Sequence, residues 1–346
     1  MKILVTGAAG FIGSKLMHDL SKRGDTVCGI DNINDYYDIR LKYARLRECG
    51  FLFENQDIPF GTKYSSNKFP TSFFIRMDVA NKEELDRLFA QEHFDLVVHL
   101  AAQAGVRYSI TNPYIFMQSN MNGFLNILEA CRWNPVKQLV FASSSSVYGL
   151  NEKVPYSEED KVDTPVSIYA ASKRSNELMA HSYSKLYGIP TTGIRYFTVY
   201  GPWGRPDMSP MLFADAIRNG KPIKVFNNGL MIRDFTYIDD IVEGTIHIMD
   251  NPPLLEKCPN RVAFRLYNIG CGHPVKLMDF IREIETTYGR EATKVFLPMQ
   301  PGDVYQTYAD TAKLKTEIGY CPKWSLHEGI TEFINWYKSS KNPLVD

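Results

Sequence analysis

Lys2-Ile3-Leu4-Val5-Thr6-Gly7-Ala8-Ala9-Gly10-Phe11-Ile12-Gly13-Ser14-Lys15-Leu16-Met17-His18-Asp19-Leu20 opens the chain just after Met1. The first five of these residues form a short apolar run and read as a buried strand. From Phe11 onward Ile12, Leu16, Met17 and Leu20 fall on one helical stripe, which predicts a helix over Phe11–Arg23. Gly7, Gly10 and Gly13 occupy the junction. Glycines there let the backbone turn tightly and approach a pyrophosphate, whose charge lies against the positive end of the following helix. Alone, such a triplet marks a tight strand-to-helix turn and nothing more. Its context adds weight, because a second predicted strand, Thr26–Ile30, leads to Asp31, 18 residues after Gly13. A carboxylate at that place binds the adenosine ribose hydroxyls and repels a 2′-phosphate. Asn32 follows it, and the loop has Ala8, Ala9 and Phe11 in place of a base. Gly7, Gly10, Phe11, Ile12, Gly13, Asp31 and Asn32 are therefore expected to hold NAD in preference to NADP.

Outward from this stretch, short apolar runs alternate with helical patterns through the first half. Phe73–Arg76, Leu96–Leu100, Gln138–Ala142 and Thr191–Tyr196 read as further buried strands. Lys82–Gln91, Pro113–Trp133 and Tyr169–Tyr187 read as helices, and a weaker helix is expected around Ile39–Cys49 in the long connection from Ile30 to Phe73. That alternation predicts an α/β fold, a doubly wound parallel sheet covered by helices. From about Gly201 the pattern turns irregular and richer in Pro and Gly, as in a smaller C-terminal α+β unit. The expected division is 1–200 for the dinucleotide and 201–346 mainly for the substrate, with one return to the first unit near 236–250.

The size agrees, since 346 residues at about 150 per domain suggest two domains. The 39 Lys+Arg balance the 39 Asp+Glu, which argues against a nucleic-acid binder and against a polybasic membrane-surface protein. No apolar run approaches the roughly 20 residues of a membrane helix, and the N-terminal apolar stretch is too short for a signal peptide. Six scattered cysteines without a CxxC pair indicate neither a zinc site nor a disulfide framework. Reduced thiols in a cytoplasmic protein are expected.

Tyr169-Ala170-Ala171-Ser172-Lys173 sets a phenol and an ammonium four residues apart, on one face of a predicted helix. Free tyrosine, with a pKa of about 10, is a poor base at neutral pH. A neighbouring ammonium, together with a positively charged nicotinamide, favours the phenolate. Tyr169 is then able to take a proton from a sugar hydroxyl as hydride leaves the same carbon. Such a pair arises often by chance. Here it accompanies the glycine turn and the run Ser143-Ser144-Ser145-Ser146-Val147-Tyr148-Gly149, which follows a predicted strand where a doubly wound sheet places its ligands.

The GxxGxxG spacing, YxxxK and the serine run together resemble the short-chain dehydrogenase/reductase superfamily in its extended, nucleotide-sugar-modifying epimerase/dehydratase branch, which has a Rossmann sheet. The resemblance covers nearly the whole chain. It implies Asp78 and Val79 at the adenine, Leu100, Ala101 and Ala102 beside the cofactor, and Ser144 as the third catalytic member with Tyr169 and Lys173. Tyr196 and Val199 are assigned to the cofactor side as well. Dehydratases of this branch carry Asp-Glu at the positions of Ser145-Ser146, and decarboxylases carry a glutamate where Ser146 stands. What remains is oxidation at C4, turnover of the keto sugar and return of the hydride to the other face, which is 4-epimerisation with NAD regenerated in each cycle.

Thr198, in Arg195-Tyr196-Phe197-Thr198-Val199-Tyr200-Gly201-Pro202-Trp203-Gly204-Arg205-Pro206-Asp207-Met208, stands where galactose-type 4-epimerases carry asparagine. With Gln103–Ser109 and the insertion Asp57–Gly61, this stretch is similar to UDP-glucuronate 4-epimerases. The resemblance implies a UDP-hexuronate substrate, with Ser145, Ser146 and Thr198 as hydroxyl donors around its carboxylate, although Ser and Thr at such places also cap strand and helix ends. Arg205 is expected on the carboxylate or a phosphate, Arg233 on the pyrophosphate, Asp303 on a ribose, and Met211 and Val225, with the stretches Met211–Ala216 and Lys224-Val225-Phe226 that hold them, beside the uracil. Gln300 replaces an arginine of the galactose-type enzymes. Oxidising C4 of a hexuronate gives a ketone β to the carboxylate, prone to losing carbon dioxide. Ser145, Ser146, Thr198 and Arg205 are expected to hold the carboxylate out of line for that cleavage. The two long helices also carry apolar residues beyond one inward stripe, and the resemblance implies a homodimer through them. A galactose-type epimerase, another enzyme of the branch, and a non-catalytic NAD-binding regulator are the alternative readings.

Overall fold

The computed structural model describes residues 1–54 and 57–345. Lys2–Thr6 (β1), Thr26–Asp31 (β2), Lys63–Ser65 (β3), Phe73–Arg76 (β4), Leu96–His99 (β5), Gln138–Ser144 (β6) and Thr191–Tyr196 (β7) lie in one sheet. An eighth strand comes from far along the chain, after Thr198–Tyr200 (β8), Ile223–Val225 (β9), Ile232–Arg233 (β10) and Phe235–Tyr237 (β11). It is Phe264–Ile269 (β12), and the order across the sheet is β12-β7-β6-β5-β1-β2-β4-β3. All neighbours are parallel except the antiparallel edge pair β3–β4. The central strands are buried along nearly their whole length, as strands covered by helices on both faces must be.

Sequence order reverses between β1 and β5, where a doubly wound sheet opens its ligand crevice. The helices Phe11–Arg23 (α1), Ile39–Glu48 (α2) and Lys82–Glu92 (α3) cover the first half of the sheet. Val106–Thr111 (α4), Pro113–Phe116 (α5), Gly123–Trp133 (α6) and Ile168–Tyr187 (α7) follow. The single helix expected over 113–133 contains a π-helical turn, Met117–Asn122. Such turns cluster at functional sites, and this one brings Asn120 against α7. Asn120 Nδ2 donates to Ser172 Oγ at 3.0 Å, and its carbonyl accepts from Asn176 Nδ2 at 2.8 Å.

The second half adds Ser209–Arg218 (α8), Ile238–Met249 (α9) and small strand pairs such as β8–β11. Its apolar core runs into that of the sheet, with Phe235 stacked on Phe280 at 3.8 Å. The chain comes back to the sheet twice. α9 lies against α1, tied by Lys15–Asp239 at 3.3 Å and Arg23–Asp250 at 2.7 Å. β12 then pairs with β7, a second return that local alternation does not predict. No helix among the described residues is long and apolar enough to cross a membrane.

Candidate active site

The cofactor side begins at the glycine turn. Gly7 has φ of 73°, and a Cβ there would stand 2.8 Å from Ala101 N, while a Cβ at Gly13 would meet Gly7 O at 2.1 Å. Only glycine permits strand, turn and helix to close up so far. No side chain caps the first turn of α1, and no acid stands in it, so its N–H groups face the crevice as an anion site. At the end of β2, Asp31 Oδ2 accepts from Ala9 N at 3.2 Å and Oδ1 from Ile33 N at 2.8 Å. Asn32 Nδ2 donates to Asp78 Oδ2 at 3.0 Å. Turn, bare helix end and carboxylate fit a dinucleotide.

One cavity of about 1070 Å³ takes in this wall and continues beneath the second half. Gly7, Gly10, Phe11, Ile12, Gly13, Asp31, Asn32, Asp78, Val79, Leu100, Ala101, Ala102, Tyr196 and Val199 line it. So do Ser144, Ser145, Ser146, Tyr169, Lys173, Thr198, Arg205, Arg233 and Asp303. Its volume is at the upper end of ordinary ligand pockets, room for a dinucleotide and a second ligand beside it. Met211 and Val225 are the exceptions among the expected residues, being buried in the core at 4% and 0% exposure. A helix turns about 100° per residue, so α8 presents Leu212, Phe213 and Ala216 to the cavity instead. Around Val225, Lys224 within β9 and Phe226 just after it reach the wall.

The groups expected to react meet where β6 ends against the first turns of α7. Ser167 caps that helix, accepting from Ala170 N at 3.1 Å, which fixes Tyr169 and Lys173 on the face toward the sheet. Lys173 is buried, and its Nζ donates to Ala142 O at 2.9 Å. Burial pushes its ammonium down to about 8. Enclosure raises the Tyr169 phenol, while a hydrogen bond with Ser144 and the charge of Arg205 pull it back. The sequence suggests a phenol acidified by its ammonium neighbour; in the protein the lowering influences come from Ser144 and Arg205 instead, and burial outweighs them. Ser144 Oγ also accepts from Ser146 N at 3.2 Å, starting a 3-10 turn over Ser145–Tyr148.

Several expected residues carry protein partners. Asp207 holds Arg205 in a fork, accepting from Nε at 3.0 Å and Nη2 at 2.6 Å. Arg233 donates to the carbonyls of Ile232, Tyr305 and Val304 at 2.8, 3.0 and 2.7 Å. Asp303 pairs with Arg107 at 2.9 Å, and Gln300 Oε1 is buried without a hydrogen-bond partner among the described residues. Asp207 and Arg107, which the sequence offers only as members of stretches that carry the resemblance, and Tyr36 and Lys42, to which it gives no part, all stand in the cavity wall. A charged or phenolic side chain, in a loop like Tyr36 and Asp207 or on a helix like Lys42 and Arg107, signals nothing until the fold closes its segment over a cavity.

A Rossmann sheet, a glycine turn and a Ser–Tyr–Lys set in one cavity define a class, and the NAD dependent epimerase/dehydratase family model matches residues 3–270. The chain belongs to that family and depends on NAD. It is 43% identical to a probable UDP-glucuronate 4-epimerase of Rhizobium meliloti (strain 1021), over 97% of each chain. It is 44% identical to UDP-glucuronate 4-epimerase 4 of Arabidopsis thaliana, over 97% of this chain and 75% of that one. Among solved structures, the UDP-glucuronic acid 4-epimerase of Bacillus cereus, in complex with UDP-glucuronic acid and NAD, superposes with a TM-score of 0.83. That match has 35% identity and covers 98% of this chain and 99% of the other.

Proposed function

We propose that this protein interconverts UDP-glucuronate and UDP-galacturonate by reversible oxidation at C4. The observation that carries the reading is the meeting of Ser144, Tyr169 and Lys173 at the floor of the same cavity that the glycine turn enters. NAD, when bound, supplies a hydride acceptor and donor at C4 and a positively charged ring beside the phenol. Tyr169 takes the C4 hydroxyl proton at its Oη and later gives it back. Ser144 Oγ holds the same substrate oxygen, and Lys173 stabilises the phenolate by its charge. Between the two half-reactions the keto sugar turns over, so the hydride returns to the opposite face. Ser145 and Ser146 offer hydroxyls and no carboxylate, which leaves neither an acid nor a base for elimination at C5 and C6.

Ser145, Ser146, Thr198 and Arg205 surround the uronate and keep its carboxylate out of line for loss of carbon dioxide. Arg233 and Asp303 receive the pyrophosphate and a ribose, and Leu212, Phe213 and Phe226 flank the uracil. Residues 1–200, with the returns through α9 and β12, form the cofactor unit; most of the remainder forms the sugar-nucleotide unit. The working form is a homodimer. Supporting this, Ile110, Tyr114, Met117 and Trp133 are 49–84% exposed along the segment from α4 to α6. Leu178 and Leu186 are 54% and 69% exposed on α7. The cytoplasm suits its cysteines, all free among the described residues, four of them buried. The product, an activated uronate, is a donor for polysaccharide biosynthesis.

Proton NMR of UDP-glucuronate incubated with the purified protein and no added cofactor tests the reading, with UDP-glucose in a parallel tube. Signals of the galacto uronate from the first tube alone are expected. Conversion of UDP-glucose alone would favour the galactose-type reading, and no conversion of either, with NAD still bound, would favour the non-catalytic one.

A further inference from the structure

Arg45 is an enclosed cation for which the catalytic account has no use. It stands on α2 with 1% of its surface exposed. Nη1 donates to Ala9 O at 3.1 Å and to Tyr37 Oη at 2.6 Å. Nε and Nη2 donate to Trp203 O at 3.1 and 2.6 Å, and Nη2 also reaches Gly204 O at 3.4 Å. None of these acceptors is a carboxylate. A buried guanidinium is stable only where its donors are met, and here they are met by two loops that belong to the two sides of the cavity. Ala9 lies in the glycine turn. Trp203 and Gly204 lie immediately before Arg205.

Trp203 adopts a φ of 65°, unfavourable for a bulky residue and sustained only where the surroundings impose it. Arg45 grips its carbonyl, and Trp336 packs its ring at 5.2 Å. The segment that carries Arg45 touches the same loop again, because Tyr36 Oη donates to Asp207 Oδ2 at 3.1 Å. Asp207 in turn aims the Arg205 guanidinium. The loop from Trp203 to Asp207 is thus tethered at both ends by one stretch of chain, Tyr36 to Arg45, whose other attachment is the glycine turn.

We propose that Arg45 is a positioning residue that couples the two binding sites, fixing the loop that aims Arg205 to the backbone turn against which the dinucleotide lies. A planar fork with five donors bridges two carbonyl-bearing loops as a single rigid piece, which a lysine point charge cannot do. The substrate-side cation is then correctly aimed only when the glycine turn is in place. The proposal rests on the reading of Arg205 as a substrate-facing residue.

The test is a double-mutant cycle between Arg45 and Arg205 in the purified, NAD-containing protein. Folding is followed by circular dichroism and dinucleotide content by release on heating. Affinity for UDP-glucuronate is measured by calorimetry, and KM and kcat with the same compound. Arg45→Met and Arg45→Lys are expected to raise KM and the Kd for UDP-glucuronate about tenfold, with kcat changed less, and Arg45→Met,Arg205→Ala to be no worse than Arg205→Ala alone, because coupled residues do not add. Effects that multiply across the cycle, or a KM and Kd within about twofold of the unmodified protein for Arg45→Met, would overturn the proposal. If Arg45→Met does not fold, Tyr36→Phe at the cavity rim enters the same cycle with the same two criteria. Should the unmodified protein leave UDP-glucuronate unchanged, that failure belongs to the functional reading, and the cycle read as UDP-glucuronate affinity still decides the coupling.

Discussion

Ser143 Oγ donates to Glu177 Oε1 at 2.6 Å, which ties the strand bearing Ser144 to the helix bearing Tyr169 and Lys173. The same carboxylate receives Arg195 Nε at 2.8 Å and Nη2 at 2.9 Å, and both partners are 1% exposed. Arg195 also donates to Tyr148 Oη at 3.1 Å. This network sets the register of α7 on β6 and β7, so the proposed catalytic set is aligned from behind. Replacing Glu177 with alanine leaves a buried guanidinium without its fork, a loss of about 3–5 kcal/mol. Thermal denaturation should show a clear fall in Tm, with kcat falling in the folded fraction. An unchanged Tm would mean that the network carries no stability.

The phenol gives a pH signature. Its hydrogen bond with Ser144 favours the anion and holds the Tyr169 pKa below what burial alone would set. Ser144→Ala removes that influence, so the pKa rises and less phenolate is present at any given pH. The acid limb of the kcat profile should move to higher pH, with a loss of order 10²-fold at neutrality. Lys173, pushed down to about 8 by burial, sheds its charge above that value, and activity should bend down there in both proteins. Coincident acid limbs would contradict the role given to Ser144.

Arg205 and the hydroxyls around it are assigned to restraining the β-keto acid. Arg205→Ala should therefore release a decarboxylated pentose nucleotide alongside the epimer, detectable by mass spectrometry of the reaction mixture, and turnover should slow. Intact turnover with no pentose would show that Arg205 has no part in the restraint.

The exposed apolar residues of α7 predict the assembly. Leu178→Glu with Leu186→Glu places two charges on the proposed two-fold interface. Each leucine withdrawn from a dimer contact forfeits about 1.5–3 kcal/mol. Sedimentation should change from dimer to monomer, and an unchanged dimer would place the interface elsewhere.

Much of this was legible in the residues. Three strands, Lys2–Thr6, Phe73–Arg76 and Thr191–Tyr196, and the helix Phe11–Arg23 have the bounds that local periodicity gives them, because each buries a continuous face. The glycine turn and Asp31 stand where their spacing puts them. β12 is not legible because what makes it a strand is a pairing with β7 formed across the long stretch of chain between Tyr196 and Phe264, with Tyr196 opposite Ile269 and Thr191 opposite Phe264. The π-helical turn was invisible since its cause, the grip of Asn120 on Ser172 and Asn176, is tertiary. Met211 and Val225 show the limit of reading a site from neighbourhood. A resemblance places a segment beside a ligand, and only the turn of the helix or the pleat of the strand decides which of its side chains arrives.

Transient oxidation at C4, with return of the same hydrogen, is the claim on which the functional account stands. UDP-glucuronate carrying deuterium at C4, converted by the NAD-containing protein in ordinary water, tests it most directly. The account predicts UDP-galacturonate that retains the deuterium at C4, because the hydride never leaves the bound dinucleotide for solvent. Product carrying protium at C4 would contradict it.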